Sequence, residues 1–231
     1  MNLKRPTITY TVADMADRIA RVTGIDPAFH ARQIRNWSVD FEDGDHSPQS
    51  VLGVLGAIPR ISDRKTSSRL YNLRHLAGAR IAHHLAQGGL ELPQIRTAMR
   101  LLRNINREKN VAFSTNEDGA RHFNYHDGLA VAIAVAKRIV DLDGEDDGRF
   151  RALEKLVIYF EFQMTKEGEL RLGHITADPK GASSWDWGFP ERRIINLSTL
   201  LPGLLRDQDG NPEFPASWAV SPDAANVWET T

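Results

Sequence analysis

Apolar positions at Val12, Met15, Ala16 and Ile19 recur at the three- and four-residue spacing of a helix face, with Asp14, Asp17 and Arg18 between them. Gly24 ends that pattern. Asp26-Pro27 opens the next helix, aspartate as N-cap and proline at the first helical position. This helix runs to about Trp37. Ile34, with Phe29 and Trp37, is expected on its buried side, leaving His30, Arg32, Gln33 and Arg35 outside. Two helices joined through a glycine turn make a helix-turn-helix.

Residues 38–50 are polar and turn-rich and predict a loop, and Val51 to Leu55 return to the core. Pro59-Arg60-Ile61 and Arg69-Leu70-Tyr71 predict two short strands flanking a polar, basic tip that contains Arg64, Lys65 and Ser67: the shape of a wing. Asn72 is the expected N-cap of a helix through Leu73, Leu76, Ile81 and Leu85, closed by Gly88-Gly89. Leu92-Pro93 starts another helix through Ile95, Met99 and Leu102. Arg96, Arg100, Arg103 and Arg107 then form one basic, solvated or salt-bridged flank of it.

Residues 104–126 hold few apolar anchors and predict a linker or irregular boundary. The apolar run 127–142 predicts a helix, with Asp127 as its cap. Strand formers crowd 153–164, Lys166-Glu167-Gly168-Glu169 predicts a hairpin turn, and 170–176 the returning strand. Residues 178–193 place Trp185 and Trp187 in a Pro/Gly/Ser context. A third apolar element spans 194–205, with a helix start near Asn196. The expected fold is therefore a mainly α N-terminal winged helix-turn-helix with a two-strand wing (1–107), then an acidic α+β module (108–231) with a helix and a small antiparallel sheet.

Charge sharpens this division. Residues 1–109 carry 17 Lys+Arg against 10 Asp+Glu, and residues 110–231 carry 12 against 20, so a net charge of −1 conceals a basic front and an acidic back. Such an asymmetry suits one half that binds a polyanion and another that avoids it. Arginine outnumbers lysine 14 to 3 in the front half. Guanidinium groups suit bidentate contacts to phosphate and guanine. With no cysteine in the chain, disulfides, thiolate metal sites and cysteine nucleophiles are excluded. No apolar run approaches the roughly 20 residues of a membrane span. No secretory signal is read at the start, and a cytoplasmic, nucleoid-associated location is expected.

Other constellations are weak. His75 and the pair His83-His84 read as surface histidines, since neighbours on a helix point to different sides. His122 and His126 share one helix face if helical, a faint metal or acid–base candidate. The acidic run from Asp141 to Asp147 misses the EF-hand spacing and reads as a solvated loop. Phosphate loops and nucleophile elbows are absent, so neither enzymatic activity nor a cofactor is expected. Trp185 and Trp187 are the best effector-binding candidates of the back half; equally, they cover a small sheet.

Five pieces of the front half occur in a familiar order: Thr11 to Ala16; Gln33-Ile34-Arg35-Asn36-Trp37; Leu55-Gly56-Ala57-Ile58-Pro59; Ser68-Arg69-Leu70-Tyr71; and Gly89-Leu90-Glu91-Leu92-Pro93-Gln94-Ile95. Over about residues 8–103 the chain resembles the MerR family of bacterial transcription regulators. The resemblance implies that helix 26–37 enters the major groove of double-stranded DNA, with His30, Arg32 and Gln33 toward base edges. Arg35, Arg60, Lys65 and Arg69 would meet phosphates, and Arg64 and Ser67 lie on the same wing. Trp37, Ile34 and Tyr71 read first as core, although Tyr71 at the base of the wing also offers an O–H to a phosphate. The resemblance further implies a homodimer on an inverted repeat and contact with RNA polymerase.

Three departures bear on this. The first helix and its turn are long, the stretch between Trp37 and Leu55 is long, and the helix after Leu92 runs out near Asn110, short for the family's dimerisation helix. The metal sensing common in that family is at odds with a chain that has no cysteine. Two alternatives stay open: an architectural or excision factor of a mobile element, and a small-molecule sensor or enzyme module addressed by a DNA-binding front half.

Overall fold

A computed structural model describes residues 9–43, 46–59, 69–103, 114–115, 121–123, 128–142, 158–176 and 191–213. The chain separates into two compact units, Met1–Met99 and Arg100–Thr231. Among the described residues there are six α-helical segments, a two-stranded antiparallel sheet and a five-stranded sheet.

In the first unit, α1 (Val12–Thr23) is held at its start by a capping box. Asp14 N–H donates to Thr11 Oγ1 (3.2 Å), while Thr11 N–H donates to Asp14 Oδ2 (2.7 Å). Gly24 ends the helix in the left-handed region (φ 71°), a conformation glycine adopts without strain. Asp26 caps α2 (Pro27–Trp37), accepting from Ala28 N–H at 2.7 Å. Met15 and Ile19 of α1 and Ile34 of α2 are fully buried, so the two helices pack by the faces that periodicity predicts. Phe29 is the exception: it is 46% exposed.

The stretch expected to be a loop contains a hairpin, β1 (Phe41–Asp43) against β2 (His46–Gln49), with Phe41 opposite Gln49. The chain then re-enters the core through Val51, Leu52 and a 3₁₀ turn, Gly53–Leu55. Leu70 N–H donates to the Pro59 carbonyl (2.8 Å), and Tyr10 and Tyr71 exchange a pair of main-chain hydrogen bonds (2.6 and 2.9 Å). Residues 60–68, expected from the sequence to form the wing tip, lie outside the described residues.

Asn72 caps α3 (Leu73–Gln87) as predicted, in a reciprocal box with His75. Asn72 N–H donates to His75 Nδ1 (3.1 Å), and His75 Nε2 reaches the Gly56 carbonyl (3.3 Å). His75 is buried, not on the surface, and burial lowers its pKa. After Gly88-Gly89 comes α4 (Leu92–Arg103). Its basic flank is not uniformly solvated: Arg96 is fully buried and holds the β1–β2 hairpin.

In the second unit the five strands are antiparallel, in the order β3 (Ser114–Thr115), β4 (Arg121–Phe123), β6 (Leu170–Thr176), β5 (Tyr159–Met164), β7 (Glu191–Asn196). The expected boundary region 104–126 thus contributes two short strands to the sheet. Gly168 (φ 81°) makes the turn between β5 and β6. β5 is buried along both faces, Phe160 and Phe162 on one and Glu161 and Gln163 on the other. Helix α5 (Gly128–Leu142) packs against a helical turn, Leu197–Leu200, and a 3₁₀ turn, Pro202–Leu205. Asn196 caps that first turn through its side chain.

Candidate nucleic-acid interface

The exposed side of α2 carries Arg32, Arg35 and Asn36. Spaced three and four apart, they share one helix surface, while Ile34 and Trp37 point to the core. Beyond the helix, Ser38 folds back: its Oγ donates to the Ile34 carbonyl (2.7 Å) and accepts from the Tyr71 hydroxyl (2.9 Å). Ser38 also presents its carbonyl to Arg69, whose Nη1 donates to it. Arg69, far along the chain, is thereby fixed beside the end of α2.

Arg35 and Arg69 line one cleft of about 460 Å³ together with Thr11, Val12, Ala13, Ser38, Val39 and Tyr71. Val12 and Ala13 occupy the first turn of α1, where main-chain N–H groups have no acceptor within the helix. The positive end of the helix dipole and two guanidinium groups therefore face one opening. Asp14, the nearby acid, is engaged by the cap through Thr11 N–H and Thr11 Oγ1 (2.7 and 2.8 Å). An arrangement of this kind suits an oxyanion such as a phosphate.

The remaining predicted residues divide sharply. His30 is 1% exposed and is no base-reading group: its Nε2 lies 2.8 Å from Thr23 Oγ1. Gln33 is half-buried, with Oε1 2.9 Å from His83 Nδ1, and so points toward α3. Tyr71, 1% exposed, spends its hydroxyl on Ser38 and has none to offer a phosphate. His83 is buried rather than on the surface, whereas His84 is exposed. Arg60, Arg64, Lys65, Ser67, Trp185 and Trp187 lie outside the described residues, as do His126 and Asp127.

Sequence reasoning missed the first turn of α1 as part of this surface. The signal was present: Thr11-x-x-Asp14 is a capping-box pattern. Among the described residues no group of three or more His, Asp or Glu side chains is placed to hold a metal ion. Nor is any helix among them long and apolar enough to cross a membrane. No family model, curated protein or solved structure matches this chain.

Proposed function

We propose that the first unit is a MerR-like winged helix-turn-helix that binds double-stranded DNA, and that the protein is a transcription regulator acting as a homodimer on an inverted repeat. The observation that carries this is the shared cleft of Arg35 and Arg69 at the head of α1. Two cations from distant parts of the chain meet there beside unpaired helix N–H groups. In this reading α2 lies in the major groove and Arg32 reads a base, guanine being its best bidentate partner. Arg35 and Arg69 grip the backbone and set the register of the helix. The acidic second unit serves dimerisation, effector binding or contact with RNA polymerase, with Trp185 and Trp187 as its recognition residues.

The test is selection of bound duplexes from random DNA with the full chain, followed by affinity measurements across salt. A recovered inverted repeat, with affinity falling by orders of magnitude between low and physiological salt, supports the proposal. Absence of duplex binding even at low salt overturns it. Footprinting at the recovered site, with and without RNA polymerase, separates a regulator from an architectural factor.

A further inference from the structure

Helices α1, α2 and α3 of the first unit meet at two imidazoles. The rings of His30 (α2) and His83 (α3) lie 4.7 Å apart, edge to face, and each residue is 1% exposed. Thr23 Oγ1 already donates to the Ile19 carbonyl (2.8 Å), so His30 Nε2 is the donor in its contact with Thr23. Gln33 Oε1 accepts, so His83 Nδ1 is the donor there. In the neutral ring the remaining lone pair then sits on His30 Nδ1 and on His83 Nε2. Both of these atoms are buried without a hydrogen-bond partner.

The charges acting on this pair are predominantly positive. Arg80 on α3 acts on both rings, and its Nε and Nη1 are themselves buried without acceptors. His84, also on α3, acts on His83. Asp26 at the head of α2 is the acid that acts on His30, and α1 presents the neutral Thr23 hydroxyl. A proton added to either ring creates a buried N–H with nothing to accept it, beside a guanidinium in the same condition.

We propose that the His30–His83 pair is a proton-sensitive latch: it docks α2 on α1 and α3 at neutral pH and loosens in mild acid, so that duplex binding weakens as pH falls. The link to binding rests on the reading of α2 as the DNA-contacting helix; the latch itself rests only on the packing. Burial, the facing ring and Arg80 lower the His83 pKa to about 4, and burial followed by Arg80 lowers that of His30. Unfolded histidine titrates near 6.5. Between those values the unfolded chain binds protons that the folded chain refuses, so stability is full above about pH 7 and is lost as pH falls toward 4. For His83 alone the folding equilibrium constant drops about 20-fold from pH 7 to pH 5.

The sign distinguishes this latch from general electrostatics, because protonating exposed histidines adds positive charge and strengthens DNA binding. The experiment follows histidine ring signals of the full chain by NMR from pH 8 to 5. In parallel it measures urea midpoints and affinity for a labelled random-sequence duplex at low salt. Wild type is expected to show two imidazoles that titrate below the ordinary histidine value, with stability and affinity falling together in acid. His83→Gln, which can still donate to Gln33 but does not titrate, is expected to flatten much of both profiles; His84→Gln is expected to leave them intact. Ring titration of His30 and His83 near 6.5, or affinity that rises steadily in acid, overturns the latch as a control of binding. The ring titrations need no variant, so a misfolded His83→Gln does not block the test. Acid-sensitive stability with no duplex binding at neutral pH would refute the DNA reading and leave the proton-sensitive packing in place.

Discussion

The guanidinium of Arg96 stacks over the ring of Phe41, 4.0 Å from its centroid. From the same position Nη1 donates to the carbonyls of Phe41 (2.8 Å) and Gln49 (2.9 Å), residues that face each other across the β1–β2 hairpin. One side chain thus holds both strands. Truncation by Arg96→Ala removes the stacking and leaves two carbonyls without their charged donor. A loss of about 3 kcal/mol is expected, read as a lower urea midpoint. Lysine lacks the planar fork and should recover little of it. Protease cleavage within 41–49 should accelerate in both variants; a wild-type midpoint for Arg96→Ala would show that the hairpin docks by other means.

Gly78 on α3 offers a second stability test. A methyl group there would run into Leu55 Cδ1, and Leu55 is 2% exposed in the 3₁₀ turn. Alanine ordinarily stabilises a helix interior relative to glycine by roughly 0.5–1 kcal/mol. Overpacking a closed core costs about 1–3 kcal/mol. Gly78→Ala is therefore expected to be destabilising on balance, by about 1 kcal/mol in thermal or urea unfolding. A stabilised variant would mean that Leu55 repacks freely.

Substitutions at the cleft should separate positioning from reading. Arg35→Ala is expected to weaken binding about equally for all sequences and to reduce the dependence on salt by close to one phosphate contact. Arg32→Ala should instead relax preference at one base pair, by about 1–3 kcal/mol. Arg69→Ala should do more than Arg35→Ala, since it also frees the Ser38 carbonyl that anchors the end of α2. Equal sequence preference in wild type and Arg32→Ala would remove Arg32 from the base-reading role.

Tyr71→Phe tests whether the Tyr71 hydroxyl, although it borders the proposed phosphate-binding cleft, is kept from the DNA backbone. The phenol hydroxyl donates to Ser38 Oγ inside the unit. Its removal should cost about 1 kcal/mol of stability and leave duplex affinity unchanged at neutral pH. A tenfold loss of affinity in a folded variant would put the hydroxyl back on a phosphate.

Acid sensitivity should have a further contributor in His75. Its Nδ1 accepts from Asn72 N–H, and burial lowers its pKa. A proton at Nδ1 would abolish that acceptor, so the contribution is complete above the unfolded value near 6.5 and declines as pH falls below it. His75→Gln is expected to remove part of the acid-induced fall in the urea midpoint that survives in His83→Gln. An unchanged acid profile in the double variant would place the proton uptake elsewhere.

Local signals carried the helix frame of the first unit. Asp26-Pro27, Gly24 and Asn72 act within a few residues of where they stand, and the structure uses each as chemistry suggests. The hairpin turn at 166–169 was legible for the same reason. What stayed hidden depends on partners remote in the chain. His30 is polar and sits on a helix otherwise marked by arginines; nothing near it shows that His83, on another helix, will enclose it. Arg96 continues an arginine row, and its role appears only with carbonyls 47 and 55 residues earlier. Residues 41–49 lack the alternation of a strand because Arg96, rather than an apolar face, secures them. At the candidate interface, Arg32 and Arg35 were legible as exposed cations of an amphipathic helix, whereas the approach of Arg69 depends on the turn at Ser38.

The mutual hydrogen bonding of Tyr10 and Tyr71 closes a loop of chain that contains α1, α2 and the hairpin. During synthesis this pairing cannot form until Tyr71 has cleared the ribosome. A nick anywhere inside the loop turns that fastening into an encounter between two separate fragments, with an ordering cost that the intact chain pays as simple loop closure.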